Sequence, residues 1–286
     1  MEISDLKIFK AVAECGSITQ ASQKLHRVPS NITTRIQKLE QSVGQSLFRR
    51  ENNRLKISAK GESLLDYANQ ILELADRAIA QFEDPVPRGV LRIGSMEAVA
   101  ATYLSQYLTA YHQDFPEVAL KVSTLHTDGL INQVLNDELD LALVANPNDH
   151  SALNSMLVIK ELMVLVSSKN TPHLKDISYP ITLLGFSQGC YYRKCLIQWA
   201  EEQQLNYDLH EIQSYHSMLN CASAGMGIGI SPKSLVTQFH DKDNLNTHSL
   251  PAPFKFTKTY LIWKKDNLTP SMEKLIDLFK QKKPSI

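Results

Sequence analysis

Gly16, Pro29 and Gly44 punctuate the first 44 residues so closely that only short helices fit between them. Leu6, Phe9, Val12 and Ala13 recur at spacings that place them on one face of a first helix. Glycine at position 16 can end that helix in the left-handed cap geometry. Ser17 is placed to cap a second helix, ITQASQKL, in which Ala21 and Leu25 share a face. His26-Arg27-Val28 makes a short turn, and Pro29 suits the first turn of a third helix, where no amide donor is needed. In that third helix Ile32, Ile36, Leu39 and Val43 must pack inward. Ser30, Thr34, Gln37 and Gln41 fall opposite them, with Thr33 at the edge.

Two short helices joined by a tight turn are a helix-turn-helix, which lays the N-terminal part of its second helix in the major groove of DNA. A helix with a merely solvated polar face is the competing reading, and the charge pattern decides against it. Residues 1–60 hold eleven Lys/Arg against five Asp/Glu, although the whole chain is balanced at 30 each. The segment LFRRENNRLKIS reads as two strands around a Glu51-Asn52-Asn53 turn and carries Arg49, Arg50, Arg54 and Lys56. A basic hairpin beside a groove-reading helix is a winged helix-turn-helix, with the wing placed to hold phosphates. The expected DNA-contacting residues are Arg27, Val28, Pro29, Ser30, Asn31, Thr33, Thr34 and Gln37 on the helix, and the four basic residues on the wing.

The runs GSITQASQKL, IQKLEQSVGQSLFRR and LKISAKG resemble the N-terminal signature of LysR-type transcriptional regulators, over about the first 65 residues. Two departures stand out. Ala21-Ser22 replaces the paired alanines usual in the family. Arg27-Val28-Pro29-Ser30 replaces its usual Ser-Gln-Pro-Ala, so base preferences do not transfer.

From residue 61 to 84 the charge reverses, with one Arg against six acids. Leu64, Ala68, Ile71, Ala75, Ala78 and Phe82 are spaced as a coiled-coil seam, widened by Leu65, Leu72 and Ile79. Packing on the chain's own C-terminal domain is one reading of this stripe. A homodimer helix is the favoured one, and it is what the family resemblance implies. Pro85-Val86-Pro87 then stops the helix and makes a stiff joint.

Strand and helix patterns alternate from GVLRIGS onward. VLRIG, VALKVST and LDLALVA are strands separated by the helices AVAATYLSQYLTAYHQDF and DGLINQVLNDE, which implies a mostly parallel sheet. MLVIKELMVLVSS is a long strand. ITLLG, HEIQSY, IGIS and YLIWK are further strands, with helices YYRKCLIQWAEEQQ, HSMLNCASAG and SMEKLIDLFKQ. GVLRIG, FPEVALKVS, LNDELDLAL and ASAGMGIGISP resemble the two-lobed, periplasmic-binding-protein-like effector domain of the same family. The expected architecture is thus mixed: a winged helix-turn-helix at 1–60, a linker helix and joint at 61–87, and a two-lobed α/β domain at 88–286.

Ligands of such sheets sit where strand C-termini feed helix N-termini, whose free amides favour anions. That rule selects Ser95, Met96 and Glu97 after the first strand, and the stretch from Thr124 to Asp128 after the second, with Thr124, Thr127 and Asp128 the favoured contacts. In the other lobe it selects Gly189, Cys190 and Tyr191, then Tyr215, His216 and Ser217. The stretch GCYYRKC also resembles a Gly-Cys-x-Tyr-Arg motif of some family members. Arg193 could pair with a carboxylate and Tyr191 or Tyr215 could stack on a flat ligand, whereas Glu97 would suit an amine or hydroxyl.

Rival functions find less support. GMGIG at 225–229 lacks dinucleotide-loop spacing and lies between a helix and a strand, the reverse of the required order. No GxSxG, HExxH or phosphate-loop run occurs, so no enzyme is expected, and no metal or other cofactor. Cys15, Cys190, Cys195 and Cys221 form no CxxC pair and read as reduced thiols. A redox-responsive or constitutive oligomerisation role for the C-terminal domain is the alternative. The N-terminus lacks a secretory pattern, and no run approaches the roughly 20 apolar residues that cross a bilayer. The expectation is a cytoplasmic, ligand-responsive DNA-binding regulator forming a dimer of dimers. Its partners would be double-stranded DNA, a small-molecule effector and RNA polymerase, with no membrane.

Overall fold

A computed structural model describes residues 1–51, 54–80, 86–171 and 180–281, without the side chains at positions 50, 51, 54, 73, 77 and 80. Asn52, Asn53, Phe82, Pro85 and the side chains of Arg50 and Arg54 therefore lie outside the described residues. The chain divides into two compact units, Met1–Pro85 and Val86–Ile286.

The first unit contains α1 (Ile3–Cys15), α2 (Ile18–Lys24), α3 (Pro29–Val43), β1 (Phe48–Glu51), β2 (Arg54–Ile57) and α4 (Ala59–Ala80). Its core is built from Leu6, Phe9, Val12, Ala21, Ile32, Ile36 and Leu39, all buried. Gly16 and Gly44 take φ of 60° and 68° at the ends of α1 and α3, the left-handed caps their positions demand. Ser22 is buried in place of an alanine without loss, because its hydroxyl donates to the Thr19 carbonyl at 2.8 Å. Arg35 clamps α3 onto α1 by donating to Asp5 at 2.8 Å and Glu2 at 3.0 Å. Hydrogen bonds from Arg35 and Lys38 hold the Glu2 carboxyl down at about 2.

The wing is an antiparallel pair in which Phe48 faces Ile57 and Arg49 faces Lys56. Glu40 of α3 fixes its start by accepting the Leu47 amide at 2.7 Å. At the wing's exit Ser58 accepts the Gly61 amide at 3.0 Å and so caps α4. Glycine is required at position 61 because a Cβ there would stand 2.2 Å from the Leu47 carbonyl oxygen.

Helix α4 carries two adjacent apolar faces. Ala68 and Leu72 are buried against the core of their own unit, with Leu64 and Leu65 half-buried beside them. Tyr67 and Leu74, 63% and 61% exposed, lie on the other face together with Ala78, while Ile71 is half-buried against the unit's own core. The seam expected from spacing alone mixed the two: Ala68 packs within the unit, and Tyr67 and Leu74 were missed.

In the second unit β3 (Gly89–Ser95) pairs in parallel with β4 (Val118–Thr124) and β5 (Leu141–Ala145). A helical run follows β3: α5 (Glu97–Val99), a π-helical turn (Ala100–Leu104) and α6 (Ser105–Asp114), while α7 (Thr127–Leu135) links β4 to β5. The second lobe pairs β7 (Ile181–Gly185) in parallel with β8 (Tyr207–Glu211) and β9 (Ile228–Pro232), with α8 (Tyr191–Glu202) and α9 (Tyr215–Ser223) between them. The expected strand HEIQSY is placed earlier as β8, because Ser214 is needed as the extended residue that opens α9. The short helix α10 (Lys233–Gln238) and strand β10 (Leu245–Ser249) had no clear pattern in the sequence.

The sheet is mixed rather than wholly parallel. Strand β6 (Leu153–Ser168) runs antiparallel to β11 (Phe256–Lys264) over its first part and to β9 and β10 over its second, joining the lobes, and α11 (Pro270–Gln281) closes the chain. Among the described residues no helix is long and apolar enough to cross a membrane.

Replacing Gly61 by alanine is expected to destabilise the N-terminal unit by about 1–3 kcal/mol through overpacking. Calorimetry should show its transition several degrees lower, with that of the C-terminal unit unmoved.

Candidate functional site

Two places collect the residues singled out by sequence. The first is the exposed N-terminal end of α3. Arg27, Val28, Pro29, Ser30, Asn31, Thr34 and Gln37 are exposed there and Thr33 is half-buried; Arg49 and Lys56 are exposed on the wing. Val28 occupies the cap position in extended conformation and offers no side-chain cap. The positive end of a 15-residue helix is therefore left available to a phosphate. At 64% exposure the Val28 side chain is an apolar tip suited to a thymine methyl. Arg27 is steered by a 3.4 Å hydrogen bond to the Asn31 carbonyl oxygen. Thr33 and Thr34 donate to the Pro29 and Ser30 carbonyls at 3.0 Å, which keeps their acceptor lone pairs outward.

The second is a cavity of about 180 Å³ between the two lobes of the second unit. Met96, Glu97, Thr124 and Thr127 line it from the first lobe, and Cys190, Tyr191 and Tyr215 from the second. All seven were expected from strand-end placement. Leu125 and His126, within the stretch selected after the second strand, also line it, and Phe186, Ser187, Tyr192 and Gln213, which were not selected, complete the wall. Ser187 and Gln213 could have been found, since each sits in a strand-to-helix loop next to residues already selected. Tyr192 is the tyrosine of the Gly-Cys-x-Tyr-Arg motif, which was the available signal for it.

An adjoining groove of about 800 Å³ takes in Asp128, Gly189 and Arg193. Arg193 is not available as a carboxylate clamp in the cavity: it donates to the Phe186 carbonyl at 2.7 Å and to Glu211 at 3.1 Å. Ser95 is fully buried and donates to the Met96 carbonyl, so it supports the strand end rather than lining the site. His216 and Ser217 are exposed and outside the cavity, His216 lying edge-on to Phe239. Their helix phase turns them away from it, while Tyr215, one residue earlier, faces in.

The lobes meet at three points around the cavity. Both carboxylate oxygens of Glu97 accept the Tyr215 amide at 3.3 Å, so a first-lobe acid caps a second-lobe helix. The Tyr191 hydroxyl interacts with Asn146, and burial pushes it up to about 12. Gly189, at φ 89°, comes so near His126 that a Cβ would stand 2.6 Å from its Nδ1. The aromatic wall is continuous: Phe186 and Tyr215 have ring centroids 4.2 Å apart, and Tyr192 stands edge-on to Tyr215 at 6.0 Å. Among the described residues no group of three His, Cys, Asp or Glu side chains could hold a metal.

Residues 3–62 match the family described as bacterial regulatory helix-turn-helix protein, lysR family, and residues 85–284 match the LysR substrate binding domain. The transcriptional regulator YofA of Bacillus subtilis is 38% identical over 93% of this chain and 93% of its own length. CzcR of the same species is 35% identical over 96% of each. Among solved structures, full-length CbnR in complex with its target DNA aligns with a TM-score of 0.67 at 20% identity, over 98% of this chain and 99% of that one. Full-length OxyR from Pseudomonas aeruginosa aligns at 0.63 and 17% identity, over 98% and 94%. These structural likenesses carry the fold alone.

Thr34→Ala should weaken binding to the operator more than binding to random DNA. Arg49→Ala should weaken both and reduce the slope of log affinity against log salt by about one. Fluorescence anisotropy across a salt series on the two DNAs tests the division; equal losses in both variants on both DNAs would sink it.

Proposed function

The chain belongs to the LysR family of transcriptional regulators, and on that premise we propose that it is switched by a small metabolite bound in the interlobe cavity. It is a DNA-binding transcriptional regulator with a substrate-binding domain, and not an enzyme. The observation that carries the ligand reading is the cavity itself: strand ends and helix starts from both lobes converge on it, and the lobes touch around it through Glu97, Tyr191 and Gly189. A ligand there changes function only if it favours one lobe arrangement over another, since equal affinity for both shifts nothing.

Coupling to DNA requires more than one chain. The exposed face of α4 formed by Tyr67, Leu74 and Ala78 supports a homodimer in which two recognition helices meet two-fold-related half-sites. In this mechanism dimers pair again into a tetramer. Closure of the cleft alters the angle between dimers, and with it the bend of the DNA and contact with RNA polymerase.

The reading is tested by a thermal-shift screen of the full chain against a metabolite library, followed by operator footprinting with and without each hit. A ligand at a hundredfold its dissociation constant should add about 2.7 kcal/mol of stability. No stabilisation by any compound overturns the effector reading. Gly189→Ala provides the matched control: its Cβ meets His126 and its φ is strained, so the closed arrangement is denied. That variant should bind operator within about twofold of the parent chain and lose the footprint change on adding ligand.

A further inference from the structure

A cleft at strand and helix ends is ordinarily a place for anions, because helix N-termini present unsatisfied amides. In this chain several of those amides already have partners. The N-terminal amide of α9 is held by Glu97. The Tyr192 and Arg193 amides at the start of α8 are met by the Cys190 sulfur. The Gly129 amide at the start of α7 donates to His126 Nδ1 at 3.1 Å, which also fixes that ring as an acceptor at this nitrogen. The start of α5 carries Glu97 in its own first turn.

The charge of the lining points the same way. Among the described residues neither lysine nor arginine lines the cavity, and Glu97 is the carboxylate that does. Arg193, in the adjoining groove, is engaged by Glu211 and the Phe186 carbonyl. The wall opposite the acid is aromatic: Phe186, Tyr191, Tyr192 and Tyr215. Tyr192 is 1% exposed and its hydroxyl interacts with Thr257, so what it can offer the cavity is ring surface. Aromatic faces and one carboxylate are the elements that hold an ammonium group, through cation–π attraction and ion pairing.

We propose that the interlobe cavity is built for a small organic cation, an amine whose ammonium group lies between Glu97 and the tyrosine wall, and that it rejects carboxylates. The proposal rests on the reading of the cavity as the effector site and adds the chemical class of the effector. Glu97 then has two duties that compete. Without ligand its oxygens cap α9; with an amine bound, one oxygen turns to the ammonium, so the contact between the lobes responds to occupancy.

Three probes of one shape and different charge test this on the full chain by titration calorimetry: phenethylamine, 2-phenylethanol and phenylacetate. The amine should bind at least tenfold more tightly than the alcohol, and phenylacetate should not bind. Raising salt from 50 mM to 500 mM should weaken the amine and leave the alcohol unchanged, a readout that needs no variant. Glu97→Gln keeps an oxygen for the Tyr215 amide but removes the charge, and should bring the amine-to-alcohol ratio near one. Phenylacetate binding as tightly as the amine, an amine affinity indifferent to salt and to Glu97→Gln, or no binding of the amine overturns the proposal. The metabolite screen separates the two failures. Stabilisation by carboxylates alone ends the cation inference and leaves the cleft as an effector site, whereas stabilisation by nothing ends both.

Discussion

Strand β6 is sixteen residues long, and the second unit depends on its belonging to both lobes. Its first part pairs with β11 from Leu153 to Leu162, and its second pairs with β9 and β10 from Met163 onward. The lobes are therefore joined by continuous backbone hydrogen bonding rather than by loose linkers. Each parallel half-sheet, β4-β3-β5 and β9-β7-β8, is fixed in orientation by where it meets this pair. Such a joint permits small changes of bend and twist while forbidding separation. A register shift in β11 between Thr259 and Tyr260 marks where the ladder is already irregular.

The chemistry at the crossing is unusual for a strand core. Glu161 lies next to the change of partner, is buried, and takes hydrogen bonds from Ser234 of α10 and from Tyr103. Its cross-strand neighbour Thr257 is equally buried and interacts with the Tyr192 hydroxyl. Burial pushes the Glu161 carboxyl up, so its charge is costly where it sits. Around the cavity mouth the lobes meet through 3.3 Å bonds from Glu97 and a close approach at Gly189.

The N-terminal unit was legible because its signals are local. Glycine and proline positions, helical spacing of Ile32, Ile36 and Leu39, and the density of basic residues each act within a few residues. The roles of Glu40 and Gly61 were not, although both stood in the motif, because their partner in each case is Leu47 and that contact exists only after folding. In the cavity, strand-end placement found residues whose position follows from topology alone, such as Glu97 and Tyr215. It misplaced Ser95, whose burial is set by depth, while Arg193, taken from the GCYYRKC motif, finds its partners outside the cavity in Glu211 and the Phe186 carbonyl. The stripe on α4 failed differently: sequence shows that a face is apolar but not which of two partners each part of it meets.

The same distinction between spacing and surroundings bears on the thiols. Cys190 and Cys195 are five residues apart, with Cys190 the cap of α8 and Cys195 within it. On helical geometry their Cα atoms are roughly 8–9 Å apart, beyond the reach of a disulfide unless the first turn of α8 unwinds. Burial pushes both thiols up, away from the thiolate that reacts with oxidants. Cys190 instead uses its sulfur to receive the Tyr192 and Arg193 amides, filling the position where an anionic ligand would dock. Its place in the cavity wall is thus explained by what it withholds from a ligand, and the spacing that suggests a redox pair is the spacing that keeps the two sulfurs apart.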